Sequence, residues 1–366
     1  MSLVPPEASN PDLFAKINAE ADALLTQSKL DELQDKLAYY KAKAEQAEAV
    51  LRAYREHAGR ERELITELTN AVRAFDPYPH VEYNPGQPDK RSAVAFVSKT
   101  SDWQIGEVIE PNETEGFGEF NWEIAQKRVA ILGAKELDDL TAHRDAGFPI
   151  DEIHVFDEGD PVSGNIHYEL EVTNEFPAPE AAVNAAMLHA EYVSRLAAHA
   201  KHVHVWRITG DNHGRFTRKN QFKQGAINNW AYIVHQINRL ALAKHENVTI
   251  HHSRGLTLLA NVVGKKFLIK HGHTVKAWMG IPFYGLEREA AREARKRMNT
   301  DKTYDYMSIG HYHVPAWNPG GLLINGSLPG TTELDHAVGR FARPSQVSFF
   351  VHPRHGMFGW TPWNLD

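Results

Sequence analysis

Cysteine is absent from all 366 residues. That excludes disulfides, thiolate zinc sites and cysteine nucleophiles, and it suits a reducing cytoplasm, the expected location. The N-terminus has no basic segment followed by an apolar run, so no secretory signal is expected. No stretch stays apolar for ~18 residues, which argues against a membrane-spanning helix. Positive charge is not in excess either: 40 Lys and Arg face 47 Asp and Glu, for a net charge of -7. The broad basic field that gathers nucleic acid is therefore missing, although a metal site can neutralise phosphate locally. Proline is missing from residues 12–75.

Histidine is what the chain has in quantity, with 21 copies, many after residue 200. Histidine supplies metal ligands and acid/base groups near neutral pH, so spacing decides its meaning. His154, His202 and His204 alternate on expected strands and read as hydrogen-bonded structural groups. His251 and His252 read as strand-end residues.

Four segments are expected. Residues 1–11 form a leading stretch. Residues 12–75 are helical. Within them Leu30, Leu33, Leu37, Tyr40, Ala44, Ala47, Leu51 and Tyr54 step by three and four, a heptad seam. Ser28 is placed to cap it, with Asp31 three residues on. The seam predicts a homo-oligomer through residues 28–57, or an antiparallel hairpin in which flanking helix folds back. Residues 76–91 hold four prolines and one glycine and read as a linker. From residue 92 to 366, β-rich runs alternate with helical ones.

Expected strands are Ala93–Ser98, Ile153–Phe156, His202–Ile208, Val248–His251, Lys266–Ile269, Tyr306–Ile309, Leu322–Ile324 and Gln346–Val351. Expected helices are Trp122–Leu132, Ala181–Ala200, Gln224–Lys244 and Leu286–Met298. The alternation predicts an α/β domain, sheet buried under helices, with a polar site at the strands' C-terminal ends.

Five polar motifs follow those strands: Ser101-Asp102-Trp103-Gln104, Gly159-Asp160, Gly210-Asp211-Asn212-His213-Gly214-Arg215, Lys270-His271-Gly272-His273 and Gly310-His311-Tyr312-His313. Singly, each is ordinary turn chemistry. Together they present the donors that divalent transition metals take, with glycines that let the backbone turn beside them. Two cations ~3.5–4 Å apart clamp a phosphoryl group and acidify a water. Such a pair needs a bridging carboxylate plus neutral nitrogen and amide-oxygen ligands.

The ordered set resembles the calcineurin-like metallophosphoesterase superfamily, whose pattern runs Asp-x-His, Gly-Asp, Gly-Asn-His, His, Gly-His-x-His. The stretch from Gly159 to His167, with Asn212–Arg215, looks most like bacteriophage-encoded members, which would place the chain in a host cytoplasm. The resemblance implies an αββα two-sheet sandwich over residues 92–366, preceded by the coiled-coil segment. It implies that Asp160 bridges two divalent ions, with Mn²⁺ expected and Fe, Zn or Mg as alternatives. Asp102, Gln104 and His313 would complete one site; Asn212, His271 and His311 would complete the other. His213 would touch a phosphate oxygen or protonate the leaving alcohol while a metal-activated hydroxide attacks phosphorus. Arg215 is a candidate phosphate clamp.

Two departures stand out. Gln104 replaces the family's usual histidine, which predicts a weaker first site favouring Mn²⁺. Asp211 is an extra residue before Asn212 and reads as an outer partner that orients Asn212 or His213, with a bulge or an extra acidic ligand as alternatives. His273 and Tyr312 are lesser candidates for metal-supporting or substrate contact. Asp157 is a weaker rival of Asp160. Arg218, Lys219, Lys223, Arg254, Lys265, Lys266, Lys270 and Lys276, with Trp103, Tyr312, Trp278, Phe283 and Tyr284, suit a nucleotide or single-stranded end if they face the site. Three functions stay open: a nuclease acting on DNA or RNA, a small-molecule phosphodiesterase or phosphatase, and a scaffold subunit that keeps a metal site.

Overall fold

In the computed structural model the described residues are 92–217, 219, 222–275 and 282–366, plus scattered positions between 16 and 52. The chain divides into two compact units, Met1–Thr69 and Asn70–Asp366. In the first unit the described positions, among them Gln34, Asp35, Lys41 and Glu48, are helical and exposed. The apolar seam residues and the linker 76–91 lie outside the described residues.

The second unit is built on two sheets. β1 (Ala95–Thr100), β2 (Glu152–Asp157), β3 (His202–Arg207) and β4 (Val248–His252) run parallel in that order. β10 (Ser345–His352) pairs antiparallel with β1, and β11 (Gly356–Asn364) closes that edge. The second sheet has the order β5 (Leu258–Val262), β6 (Lys265–Lys270), β7 (Tyr306–Ile309), β9 (Leu322–Ile324) and β8 (Ala316–Asn318). Its central β6, β7 and β9 are parallel.

The side-chain alternation of each strand sorts the core into layers. Ala95 and Val97 of β1 face inward and pack with Phe156, Phe267, Ile269, Leu323 and Phe349 between the sheets. Phe96, Ile153, Val155, Val203 and Val205 face outward under helices. Those helices are α1 (Trp122–Asp145), α3 (Ala178–Ala197) and α4 (Trp230–Ala241). On the far side, Leu268, Met307 and Ile324 pack with Leu286 of α5 (Pro282–Arg297). Short α2 (Tyr168–Thr173) and α6 (Glu333–Ala337) lie on connections. The result is the expected helix–sheet–sheet–helix sandwich.

Local chemistry explains the element ends. Asn121 starts α1 by accepting the Ile124 N–H at 2.9 Å. On α3, Ala181, Ala182, Ala185 and Ala186 form a buried small-residue face that lets helix and sheet approach closely. α6 opens with a capping box between Thr332 and Asp335. No helix among the described residues is long and apolar enough to cross a membrane.

Candidate metal centre

The C-terminal ends of β1, β2, β3, β6 and β7 converge, and each carries one of the five motifs. The loops are tied to one another. Asp102 N–H donates to Gly159 O at 2.9 Å, and Gln104 N–H to Asp160 O at 3.1 Å. Gly310 N–H donates to His271 O at 3.0 Å, and His311 N–H to the Asp102 carboxylate at 2.8 Å. That last approach explains Gly310: a Cβ there would lie 2.6 Å from Asp102 Oδ2.

The backbone is strained where the ligands sit. Asp102, Gln104, Asp160, His311 and His313 have φ of 52°, 46°, 52°, 69° and 61°. These are left-handed values that cost a non-glycine residue about 1–2 kcal/mol. They are five of the nine such non-glycine residues among those described, and strain gathered in this way marks a functional site.

Side chains crowd accordingly. His271 Nε2 lies 2.8 Å from Asn212 Oδ1 and 2.9 Å from Asp160 Oδ2. His313 Nε2 lies 3.5 Å from Asp102 Oδ1 and 3.4 Å from the Gln104 amide. Asp160, His271 and His311 each offer a donor atom within 4.8 Å of the others. Asp102 Oδ1 and Asp160 Oδ2 are buried against the His313 and His271 rings, and Gln104 Oε1 is buried without a hydrogen-bond donor among the described residues. The His271 ring is oriented by its Nδ1–H, which donates to Glu158 O at 2.8 Å. Its Nε2 faces two acceptor oxygens, a position filled by a proton on Nε2 or by a metal ion among the three atoms. These atom spacings are those of neighbouring ligands on one ion, about 3 Å for bonds of ~2.1 Å. The donor set thus fits divalent metal ions.

Charge reflects the same crowding. Burial disfavours the imidazolium of His271, yet Asp160, Asp102 and Asp211 together push its pKa up to about 10. Burial, then the charge of His271, takes His311 down to about 3 and keeps it neutral. Against burial, His271 and His213 hold Asp160 well below the ordinary carboxylate range.

The remaining motif residues divide by role. Asp211 Oδ2 accepts the Asp160 N–H at 2.8 Å. Its Oδ1 accepts Gly214 N–H at 3.0 Å and Asn229 Nδ2 at 2.9 Å. Both oxygens accept hydrogen bonds, so Asp211 clamps the Asp160 loop to the 212–214 turn. Burial, then the charge of Asp160, raises it to about 7. His213 donates its backbone N–H to Asp160 Oδ1 at 2.9 Å, and its Nδ1–H donates to Ser163 O at 2.8 Å.

Arg215 donates to Asn212 O and Thr217 O, each at 2.9 Å, and so braces the turn. His273 lies beside His271, ring centroids 5.6 Å apart, with Nδ1 buried and without a partner. The Tyr312 hydroxyl is turned to Val275 O at 3.2 Å, which makes it a packing residue of the second sheet.

Several expected contacts lie elsewhere. Trp103 is 3% exposed and belongs to the helix-side core. Lys270 is buried against Glu289 at 2.5 Å. Asp157 pairs with Arg207 at 2.6 Å. Arg218, Lys276, Trp278 and the side chain of Phe283 lie outside the described residues.

Sequence reasoning also missed a layer beneath the metal residues. Lys99 is fully buried with its Nζ 3.4 Å from Glu158 Oε2 and from Ile309 O. Ser308 donates to the other oxygen of Glu158. Glu107, raised to about 7 by burial, is within electrostatic reach of His213 and His313. Phe216, next to Arg215, is 51% exposed and leans edge-on against Trp230 at 4.9 Å.

No protein-family model matches the chain, and no curated protein does. Solved structures are similar in part, three of them as follows. One is a conserved uncharacterized protein, a predicted phosphoesterase, from Streptococcus pneumoniae (14% identity, 49% of this chain and 90% of that one, TM-score 0.24). Another is Vps29 complexed with zinc from Entamoeba histolytica (14%, 74% and 99%, TM-score 0.26). The third is vacuolar protein sorting 29 from Cryptosporidium parvum (13%, 74% and 99%, TM-score 0.30). The functional reading below stands on this chain's own residues.

Proposed function

We propose that the chain is a metallophosphoesterase of the calcineurin-like superfamily that hydrolyses phosphodiester bonds in DNA or RNA. The observation that carries this is the position of His271 Nε2, between Asn212 Oδ1 and Asp160 Oδ2 at 2.8 and 2.9 Å. Strained Asp102, Gln104, Asp160, His311 and His313 surround it. A dinuclear centre, Mn²⁺ by expectation, would supply Lewis acidity and an acidified water. Asp160 would stand between two groups, Asp102, Gln104 and His313 on one side and Asn212, His271 and His311 on the other.

His213 is the acid/base group of this reading. Its Nδ1–H is fixed on Ser163 O at 2.8 Å, which leaves Nε2 to give a proton to the departing alcohol. Arg215 holds the turn that carries Asn212 and His213, and brings positive charge to the rim. Two features favour nucleic acid over a small diester. One is the likeness of the Gly159–His167 and Asn212–Arg215 stretches to phage-encoded members. The other is exposed Phe216 beside Arg215, where a base can stack.

The test is hydrolysis with Mn²⁺ of single-stranded DNA, duplex DNA, RNA, cyclic nucleotides and a bis-aryl phosphodiester. Cleavage of a nucleic acid is expected, lost in Asp160→Ala. In His213→Ala, turnover should fall about 10²–10⁴-fold with both metals retained. Cleavage of the small substrates alone would remove the nuclease reading, and loss of metal from His213→Ala would remove its acid/base role.

A further inference from the structure

The inner face of the first sheet carries a row of imidazoles at the opposite end of its strands from the metal centre. His154 of β2 stands beside His204 of β3 in register, and their rings stack at 4.9 Å. Glu152 lies two residues before His154 on the same face, its Oε2 3.3 Å from His154 Nε2. One donor atom from each of Glu152, His154 and His204 falls within 4.8 Å of the others. From His154 to the strand end at Asp157 is ~10 Å by strand rise, so these donors are separate from the dinuclear site.

We propose that Glu152, His154 and His204 form a second metal site, for a borderline divalent transition ion such as Zn²⁺. Two imidazoles and one carboxylate are the donors such ions take, with water completing the shell. Ligands on one tetrahedral zinc lie about 3.3 Å apart. The Glu152–His154 pair already has that spacing, and the half-buried Glu152 and His204 close the rest by side-chain rotation. His204 Nδ1 and His251 Nε2 are 3.2 Å apart. That bond orients the His204 ring and leaves its other nitrogen to the ion, as outer partners of metal-bound histidines do. Burial, then the neighbouring histidines, holds His204 down at about 4, and burial lowers His154. Both rings are therefore neutral at pH 7, so neither carries a net charge that would repel the ion.

Trp206 adds a reporter. Its indole N–H donates to His154 Nδ1 at 3.0 Å, and its ring stacks on His251 at 3.8 Å. That bond places the His154 proton on Nε2. A metal ion at Nε2 sends this proton to Nδ1, and Trp206 must release its hydrogen bond. Zinc binding at this site therefore changes the surroundings of Trp206.

The test is Zn²⁺ stoichiometry by equilibrium dialysis, with tryptophan emission, on the full chain. It uses an Asp160→Asn background to weaken the dinuclear centre. One equivalent with an emission change is expected to persist in Asp160→Asn and to disappear when His204→Ala or Glu152→Gln is added. Glu152→Gln changes only a part-exposed carboxylate, so it serves if His204→Ala does not fold. Trp206→Phe removes the competing hydrogen bond and is expected to tighten binding roughly two- to tenfold. Unchanged stoichiometry in folded His204→Ala or Glu152→Gln would overturn the site, as would unchanged or weaker binding in Trp206→Phe. The result does not depend on whether the chain hydrolyses phosphodiesters.

Discussion

Gln104 combines two properties that a substitution can separate. It would offer an amide oxygen to the proposed metal centre, and it holds a φ of 46° that glycine adopts without penalty. Gln104→Ala and Gln104→Gly both lose the ligand and are expected to weaken metal binding about tenfold or more, measured by calorimetric titration. In the metal-free protein, however, Gln104→Gly is expected to be about 1 kcal/mol more stable than Gln104→Ala, read from denaturant unfolding. Equal stability would mean that the left-handed backbone carries no strain. At this scale the sequence was informative about donor types: Asp102, Asp160, Asn212, His271, His311 and His313 sit where their motifs placed them. It could not show what holds Asp211, because its carboxylate takes three N–H donors, two of them from other loops. Nor could it find Lys99 or Glu158, which look like ordinary strand residues until both sheets close over them.

Between elements, the buried Glu136 of α1 is the least settled contact. Tyr192 of α3 donates to it, and Ser98 of β1 lies 2.6 Å from the Tyr192 hydroxyl. Burial raises Glu136 from 4.5 to about 8. Between those values the fold keeps a proton that the unfolded chain has lost, so stability falls as pH rises across the window. Glu136→Gln keeps the shape without the titration. It is expected to melt higher than the parent at pH 8, with the gap shrinking toward pH 5; a constant gap in thermal scans would contradict this. Strand positions were legible within about two residues because parallel, two-face-buried strands read as apolar runs. β5, β8 and β11 were not expected; in β11, Gly356, Gly359 and Pro362 break the pattern, which an edge strand tolerates. α1 runs on past the expected stop at Leu132 because Gly133 lies against Tyr192, and Glu136 and Leu140 are buried beyond it. α4 starts at Trp230, later than expected, because Asn229 is its cap and also binds Asp211.

For the whole molecule, the proposed ligands come from five loops, which would make metal binding part of the stability of the sandwich. Saturating Mn²⁺ at ~100 times its dissociation constant is expected to add about 2.7 kcal/mol, a rise of several degrees in Tm. Chelation should reverse that rise together with activity; a Tm indifferent to metal would contradict the five-loop site. Removing residues 1–75 is expected to leave a folded, metal-binding protein of smaller assembly size by light scattering, and an insoluble product would favour the hairpin reading of that segment. The sequence by itself determined the α/β alternation, the strand ends and the ligand types, because these depend on local periodicity and donor chemistry. Tertiary structure alone decided that the five strand ends meet and that five candidate ligands take left-handed backbone. It also decided that Trp103, Tyr312 and Lys270 belong to packing and that Glu152, His154 and His204 stand together. Each of these depends on which strands pair and which faces meet, and no local stretch of chain encodes that.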